Sequence, residues 1–451
     1  MPRTSLRGMT TPQSMELLGG LGPSGFALVL EHAEPEPRGK YRHWHDFRNL
    51  TPPDGLTTEQ WWAGVKLQRN ALMKVVGHLT DLDGVPFRYA RVDGILERQH
   101  HLDQLMAGNI ELVDVPWTDE EQDRYVIRNF IEEAIASSQL EGASTTRKRA
   151  KEMLRHEQEP TTKAERMILN NYRGVNRIVE VINEPLTPDL ILEIHTILTA
   201  GTLDDPGAEG RFQTTNDDRV VVGKDESLEP QYIPPPAEAI PDLIEALCDF
   251  ANEETGESWI HPLVRALTLH FMLAWIHPFE DGNGRAARAL FYWSALRSDY
   301  WLMQYVSVSR ILLDAPGRYA SSFLDTETDE NDLTYFLVYH LDVIQRAVSE
   351  LFEYAARQAQ ESRRIRELLV DLDLNYRQQA LLTHSLLHSD ARYTFYSHAR
   401  SHRVVHMTAR NDMLALAEIG LLVRAGKIGR ANAYSPAPDI QQRIEELANP
   451  S

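Results

Sequence analysis

The sequence predicts a mainly α-helical protein whose central region is interrupted by one β-hairpin. Three observations support this fold class. Apolar residues recur at helical spacing through most of residues 118–357. Capping residues, prolines and glycines mark where the individual helices begin and end. A β-branched run flanked by turn residues breaks the helical pattern once in this region, within 210–233.

Composition places the chain among ordinary globular proteins and limits its partners. Its 451 residues correspond to two to four domains, at roughly 100–200 residues each. The formal charge of -20 disfavours nucleic-acid binding by the surface as a whole, because phosphate would be repelled. One cysteine, Cys248, excludes an intramolecular disulfide framework. Since Ala266–Ile276 is too short to span a bilayer and no signal peptide is recognisable, we expect a cytoplasmic protein without a membrane partner.

Residues 1–110 form an N-terminal accessory region to which the sequence assigns no chemistry. A helix is predicted over Gly55–Gly77, entered through Thr57 and Thr58, and a short strand over Val85–Arg91. The tryptophans of this region are expected to anchor a core or an interface, and they are Trp44, Trp61 and Trp62.

Residues 111–357 carry the clearest helical pattern. The first helix spans 118–142: Thr118 and Glu121 form a capping box, and Gly142 is a common helix stop. Thr187 and Pro188 open a later helix as its N-cap and first-turn proline, and that helix runs to Leu198. The other helices predicted here are Thr161–Ile182, Ala237–Phe250, His261–Ile276, Gly284–Leu296 and Asp332–Arg357.

Residues 358–440 differ from the rest in charge and in pattern. Between Ser362 and Arg430 there are 11 Lys and Arg residues against 6 Asp and Glu. Three helices followed by a small hairpin are predicted, which is the order of a winged helix-turn-helix. Those helices lie near Arg377–His388, Tyr396–His402 and Thr408–Gly420, and the hairpin comprises Leu421–Val423 and Ala431–Tyr434. Five histidines are expected on solvated faces, namely His384, His388, His398, His402 and His406.

The segment His277–Arg288, HPFEDGNGRAAR, carries the chemistry that the sequence predicts. Pro278 and two glycines force a tight turn between two apolar helices. Gly284 opens the second helix, whose first-turn N–H groups lack helical partners and form a ready anion site. Arg285 and Arg288 are three residues apart on one helix face and can clamp successive phosphates.

A base and a metal ligand accompany this anion site. His277 can accept a proton near neutral pH, and Asp281 is a hard oxygen ligand suited to Mg²⁺. Together these groups are the parts needed to attack a phosphate ester. A His-Pro pair alone is common, as His261-Pro262 shows. The combination of all these residues in one segment would rarely arise by chance. The sequence contains no P-loop and no kinase signature.

This segment matches every fixed position of the Fic-family motif, and the chain resembles that family over about residues 118–357. The resemblance implies a Fic-type helical bundle in which His277 deprotonates a target hydroxyl and Asp281 holds Mg²⁺. The residues implied to bind ATP are Gly282, Asn283, Gly284, Arg285 and Arg288. The hairpin would be a flap that pins the target's backbone by strand addition, through Val220, Val221, Val222 and Gly223. Tyr319 resembles a family position near the adenine.

A second motif, Ser137–Gly142, fits the inhibitory motif (S/T)xxxE(G/N) of the same family. A Ser and a Glu at helix spacing usually mark a solvated face. Here the motif ends a helix upstream of the main one, and the resemblance implies that Ser137 and Glu141 form an inhibitory element. Glu141 would pair with Arg288 and displace the γ-phosphate.

The sequence therefore predicts an autoinhibited enzyme that transfers AMP from ATP to a Ser, Thr or Tyr hydroxyl of a target protein. Self-modification and homodimerisation are left open. Two alternatives use the same fold: transfer of another phosphate-linked group, or removal of AMP already attached. A third is a DNA-binding regulator in which the Fic region senses a ligand, although a protein-interaction role for the C-terminal part is favoured over DNA binding.

Overall fold

The computed structural model describes residues 11–12, 14–106, 119–155, 157–219, 232–253, 259–370, 372–387, 391–428 and 431–448. These residues are mostly helical, which confirms the predicted fold class. They form two compact units, of which the first reaches Glu350 and the second begins at Leu351. None of the described helices is long and apolar enough to cross a membrane.

The N-terminal region combines five helices with a two-stranded sheet. Its elements are α1 (Ser14–Gly19), α2 (Pro23–His32), α3 (Trp44–Phe47), α4 (Thr58–Leu72), β1 (Met73–Thr80), β2 (Pro86–Ala90) and α5 (Asp93–Met106). The strands are antiparallel, with Met73 opposite Ala90 and Val75 opposite Arg88. Trp44, Trp61 and Trp62 are buried together, so they are core residues as predicted.

One prediction for this region is wrong in its boundary. The helix expected over Gly55–Gly77 starts after its N-cap Thr57 but ends at Leu72. The following residues form β1 because Val75 and Val76 are β-branched and β2 supplies a pairing partner. Gly77 has a φ of 54°, which most side chains avoid, and it lies in the irregular stretch of β1 between Val75 and Thr80.

The central region supplies the bundle that positions the site. Its helices are α6 (Asp119–Leu140), α7 (Arg147–Arg155), α8 (Lys163–Glu180), α9 (Pro188–Thr199), α10 (Ile240–Asn252), α11 (Pro262–Ile276), α12 (Asn283–Arg297), α13 (Val308–Asp314), α14 (Pro316–Thr328) and α15 (Thr334–Val370). Helices α11 and α12 pack against each other, and α6 packs against α8 and α13. Most side chains of α11 are apolar and buried, among them Leu267, Phe271 and Trp275. Helices α7, α13 and α14 were not predicted.

A buried polar network joins the N-terminal region to the turn before α15. Lys66 of α4 donates to Asp329 at 2.8 Å, and both side chains are almost fully buried. Arg69 donates to the Tyr335 hydroxyl at 3.0 Å and lies 3.7 Å from the centre of the Tyr41 ring. The Tyr335 hydroxyl in turn donates to Asp329 at 2.7 Å. These contacts fix the accessory region to the end of the bundle through charges that burial makes costly to separate.

The second unit contains the three predicted C-terminal helices and the hairpin. Its elements are α16 (Tyr376–Leu387), α17 (Phe395–Ser401), α18 (His406–Glu418), β3 (Leu422–Ile428), β4 (Ala431–Pro436) and α19 (Ile440–Ala448). Strands β3 and β4 are antiparallel, and Leu382, Met413, Leu416 and Ile444 belong to a separate core. The prediction of a solvated His398 is wrong, because its Nε2 lies 3.4 Å from Asp412 and the ring is buried.

Candidate functional site

His277 ends α11 in a left-handed backbone conformation, with φ of 50° and ψ of 55°. Its Nδ1 lies 3.2 Å from the Ala274 carbonyl oxygen, and a carbonyl can only accept. Nδ1 therefore carries the proton and Nε2 keeps a free lone pair. Burial lowers the pKa of His277, so the ring stays neutral and able to accept a proton.

The carbonyl end of α11 is held by an arginine to which the sequence assigned no role. Arg219 donates from Nη1 to the His277 carbonyl at 2.8 Å and from Nη2 to the Ile276 carbonyl at 3.0 Å. Its Nε donates to the Pro235 carbonyl at 2.9 Å. A cation here satisfies carbonyls that a helix C-terminus leaves without partners. Arg219 thereby fixes the backbone that orients His277.

The turn after His277 is rigid because two side chains bind its backbone. Asn283 accepts from the Phe279 N–H at 2.9 Å and donates to the Phe279 carbonyl at 2.8 Å. His195 accepts from the Gly210 N–H at 3.1 Å, so its Nε2 is the nitrogen that donates to the Asp281 carbonyl at 2.9 Å. The His195 and Phe279 rings stack with centroids 3.7 Å apart. Because the Asn283 amide is engaged in this way, the phosphate contact predicted for Asn283 would come from its backbone N–H.

Glycines make the N-terminus of α12 accessible to an anion. Gly282 has a φ of 84°, and a Cβ there would lie 2.8 Å from Thr199 Cγ2. A Cβ on Gly284 would lie 2.2 Å from Glu141 Oε1, so only glycine allows that carboxylate to approach. The position next to the free N–H groups of α12 is thus filled by a carboxylate from the same chain.

Arg285 is almost completely buried and lacks partners for part of its guanidinium. Its Nη1 donates to the Leu198 carbonyl at 2.8 Å, and its Nη2 lies 3.5 Å from Asp281 Oδ2. Its Nε has no hydrogen-bond partner among the described residues. Burial lowers the pKa of Arg285. A buried arginine with unmet donors beside a helix N-terminus is a strong site for a phosphate group.

Arg288 is held by the C-terminal end of α6. It donates from Nε to the Ser137 hydroxyl at 2.9 Å, from Nη2 to the Ser137 carbonyl at 2.9 Å, and from Nη2 to Glu141 Oε1 at 2.8 Å. Burial alone would lower the pKa of Arg288, but the charge of Glu141, the Tyr319 hydroxyl and the hydrogen bonds to both together outweigh it, and the pKa is raised. The structure thus brings both residues that were predicted to be inhibitory, Ser137 and Glu141, into contact with the outer arginine of the predicted phosphate clamp.

The contact between Arg288 and the end of α6 is part of a longer row of contacts between α6 and α12. The residues in this row are four apart on each helix, and we call the row the α6–α12 ladder. On α6 and the turn after it the ladder residues are Glu133, Ser137 and Glu141, and on α12 they are Tyr292, Arg288 and Gly284. The Glu133 carboxylate is buried and accepts from Tyr292 at 2.8 Å, from the Ser307 hydroxyl at 2.9 Å, and from the Ser309 N–H at 3.0 Å. Sequence reasoning missed Glu133, because its partners lie far along the chain.

The Asp281 carboxylate fits the magnesium role. Its side chain is 48% exposed and stands beside the N-terminus of α12. Mg²⁺ at nucleotide sites is bound by one or two carboxylates together with the substrate's phosphates, so one carboxylate suffices. Within the described residues no three His, Cys, Asp or Glu side chains form a metal cluster.

Two other predicted parts are the flap and Tyr319. The flap residues Val220, Val221, Val222 and Gly223 fall outside the described residues. Tyr319 places its hydroxyl 2.8 Å from the buried His270 Nε2 and lies beside the Arg288 guanidinium.

The fold and this geometry place a glycine-containing turn and two buried arginines beside a histidine with a free ring nitrogen. Residues 185–295 match the model of the Fic/DOC family.

The curated relatives match this chain over about a quarter of its length. It is 34% identical over 118 residues to protein adenylyltransferase fic-1 of Caenorhabditis elegans, covering 26% of this chain and 21% of the relative. It is 30% identical over 128 residues to protein adenylyltransferase Fic of Nematostella vectensis, covering 27% of each. The chain therefore spans only about a fifth to a quarter of the length of the curated relatives it matches.

A solved structure of a Fic family protein from Desulfovibrio desulfuricans G20 is similar over a longer stretch. The TM-score is 0.52 at 20% identity, and the match covers 78% of this chain and 98% of the other. At this identity the likeness supports the fold of the matched part.

Proposed function

We propose that this protein transfers AMP from ATP to a hydroxyl side chain of a target protein, and that Glu141 inhibits the transfer. The relatives support this reaction, since each is named a protein adenylyltransferase. The buried, partly unpaired guanidinium of Arg285 beside the free N–H groups of α12 supports binding of a polyphosphate.

Each group then has one task in the reaction. The target hydroxyl gives its proton to Nε2 of His277, and its oxygen bonds to the α-phosphorus of ATP. The bond from that phosphorus to the bridging oxygen breaks, and pyrophosphate leaves. The N-terminus of α12 and Arg285 bind the phosphates and stabilise the charge that develops. Mg²⁺ held by Asp281 would neutralise part of the triphosphate charge.

One observation carries the inhibitory role, which is the Glu141 carboxylate seated at the N-terminus of α12 and bonded to Arg288 at 2.8 Å. A carboxylate and a phosphate oxygen compete for the same guanidinium and the same N–H groups. Arg288 can therefore bind either Glu141 or the γ-phosphate. Productive binding of ATP requires Glu141 to move away from Arg288.

The test is target labelling with α-labelled ATP by four proteins: wild type, Glu141→Gly, Arg288→Ala and the double variant. Couplings of this kind are typically about 1–3 kcal/mol, so Glu141→Gly should raise AMP transfer by roughly 5–150-fold. Arg288→Ala should be inactive. The double variant should also be inactive, because removing Glu141 cannot restore the phosphate contact that Arg288 would make. Thermal melts of all four proteins show whether an inactive variant is folded.

A folded but inactive Glu141→Gly protein would refute inhibition and would point to a catalytic role for Glu141, for instance in removing AMP. That alternative is tested directly by offering AMP-modified target to the wild type and measuring released AMP. Labelling by a different nucleotide donor and not by ATP would favour transfer of another phosphate-linked group.

A further inference from the structure

The second unit carries a basic surface in a chain whose formal charge is -20. Residues 391–428 contain six Lys and Arg residues and two acidic ones, Asp412 and Glu418. The basic residues are Arg392, Arg400, Arg403, Arg410, Arg424 and Lys427. All six are exposed. Salt screens charges beyond about 8–10 Å, so this local balance, and not the net charge, decides what the surface attracts.

One of the two acidic residues is not part of that surface. Asp412 is buried and accepts from Arg377 Nε at 2.6 Å and Nη2 at 3.0 Å, and from Asn375 at 2.9 Å. Its charge is therefore balanced inside the unit, where it ties α16 to α18. Glu418, at the far end of α18, remains the exposed acid of this segment.

Helix α18 presents a face that no described residue covers. Ala409, Met413 and Leu416 point into the core of the unit. On the opposite side Met407, Arg410 and Asn411 are exposed, at the spacing of one helical face. Within the described part of the chain, neither Arg410 nor Asn411 makes a side-chain hydrogen bond or an ion pair. Their donors and acceptors are therefore free to recognise another molecule.

Exposed cations flank this face on both sides. Arg400 and Arg403 lie at the end of α17 and in the turn that leads to α18, and Arg424 and Lys427 lie on β3, which packs against α18. Phosphate contacts from flanking cations are what positions a helix on a duplex, while side chains on the helix reach base edges. The B-DNA major groove is wide enough for one α-helix, and Arg and Asn are the side chains that bond guanine and adenine there.

We propose that this unit binds double-stranded DNA, with α18 in the major groove. Arg410 and Asn411 contact base edges, and Arg400, Arg403, Arg424 and Lys427 contact phosphates on either side. An acidic protein partner would also be attracted by the cations, but it would not require the pair of base-reading side chains on the exposed face. This role is separate from AMP transfer and does not depend on it.

The experiment is fluorescence anisotropy of the full-length protein with a labelled duplex of random sequence. Four phosphate contacts predict that affinity falls about 100-fold between about 50 and about 200 mM salt. The double variant Arg424→Ala/Lys427→Ala should weaken binding and lower the salt slope by about 2. On a sequence selected by the wild type from a random pool, Arg410→Ala should lose roughly 5–150-fold in affinity.

The matched control is Lys148→Ala/Arg173→Ala, which removes the same charge from exposed positions of the first unit. It should leave DNA binding unchanged. No binding at the lowest salt, or equal losses in both double variants, would overturn the proposal. A third result would also overturn it: the wild type self-associates and does not bind DNA, whereas Arg424→Ala/Lys427→Ala is monomeric. The basic surface would then bind a second copy of the chain.

Discussion

His277 has one ring nitrogen committed to the backbone and one available for chemistry. His277→Ala should lower AMP transfer by roughly 10²–10⁴-fold, the usual loss when a general base is removed. The phosphates are held by α12 and Arg285, so ATP affinity should change little. Initial rates and nucleotide titrations in the Glu141→Gly background separate the two effects. Normal labelling by the variant would remove His277 from the mechanism.

The lowered pKa of His277 sets the direction of the pH dependence. A base works in its neutral form, and a pKa below the usual 6.5 keeps the ring neutral to lower pH. The acid limb of kcat/KM for the Glu141→Gly variant should therefore fall below pH 6.5. An acid limb with its midpoint at or above pH 6.5 would show that burial does not set the pKa of His277.

In the α6–α12 ladder, Glu133 fixes the register that brings Glu141 to Arg288. Replacing it with Ala leaves buried hydroxyl and N–H donors unsatisfied, at about 1–3 kcal/mol for such a group. Glu133→Ala should therefore loosen α6 and raise AMP transfer, though less than Glu141→Gly. Labelling assays should be paired with the control Glu132→Ala, whose carboxylate bonds Arg147 and Lys151 instead. Equal activation by Glu133→Ala and Glu132→Ala would mean that any destabilisation of α6 raises AMP transfer, whether or not it affects the ladder.

The helices show what local sequence can and cannot predict. Caps at Thr187 and Gly142 and the apolar periodicity of α11 placed whole helices correctly, because those signals lie within a few residues of the helix. The end of α4 was misplaced because strand pairing with β2 decides it. Short helices such as α13 were missed since their stability comes from packing against α6.

The same distinction applies to the site. A contiguous motif names His277, Asp281, Arg285 and Arg288, and the structure gathers those side chains around the N-terminus of α12. Arg219, Glu133 and the role of His195 in holding the turn carry no such local signal. Each acts through backbone or side-chain atoms that are distant in sequence, and only the tertiary fold brings them together.

The buried network between α4 and the turn before α15 should govern the stability of the first unit. Asp329→Ala leaves Lys66 charged, buried and unpaired, which costs about 3–5 kcal/mol. The exposed pair Lys163–Asp204 is the matched control, and Asp204→Ala should change the stability little, because water screens this pair. Urea unfolding of the two variants measures both values. Similar midpoints would mean that Lys66 finds another partner or becomes neutral.

The position of Glu141 just past the last helical residue has a consequence for how quickly the proposed inhibition can be released. Glu141 belongs to a terminal turn closed by bonds from Glu141 and Ala143 to the Ser138 carbonyl, with Gly142 at a φ of 87°. Helix ends fray at little free-energy cost, whereas the Glu133 end of the ladder is buried and fully bonded. Unwinding this turn alone moves the carboxylate away while α6 stays in place. Local unfolding of this kind belongs to the microsecond-to-second range, so the opening rate of this single turn would set how fast Arg288 is released.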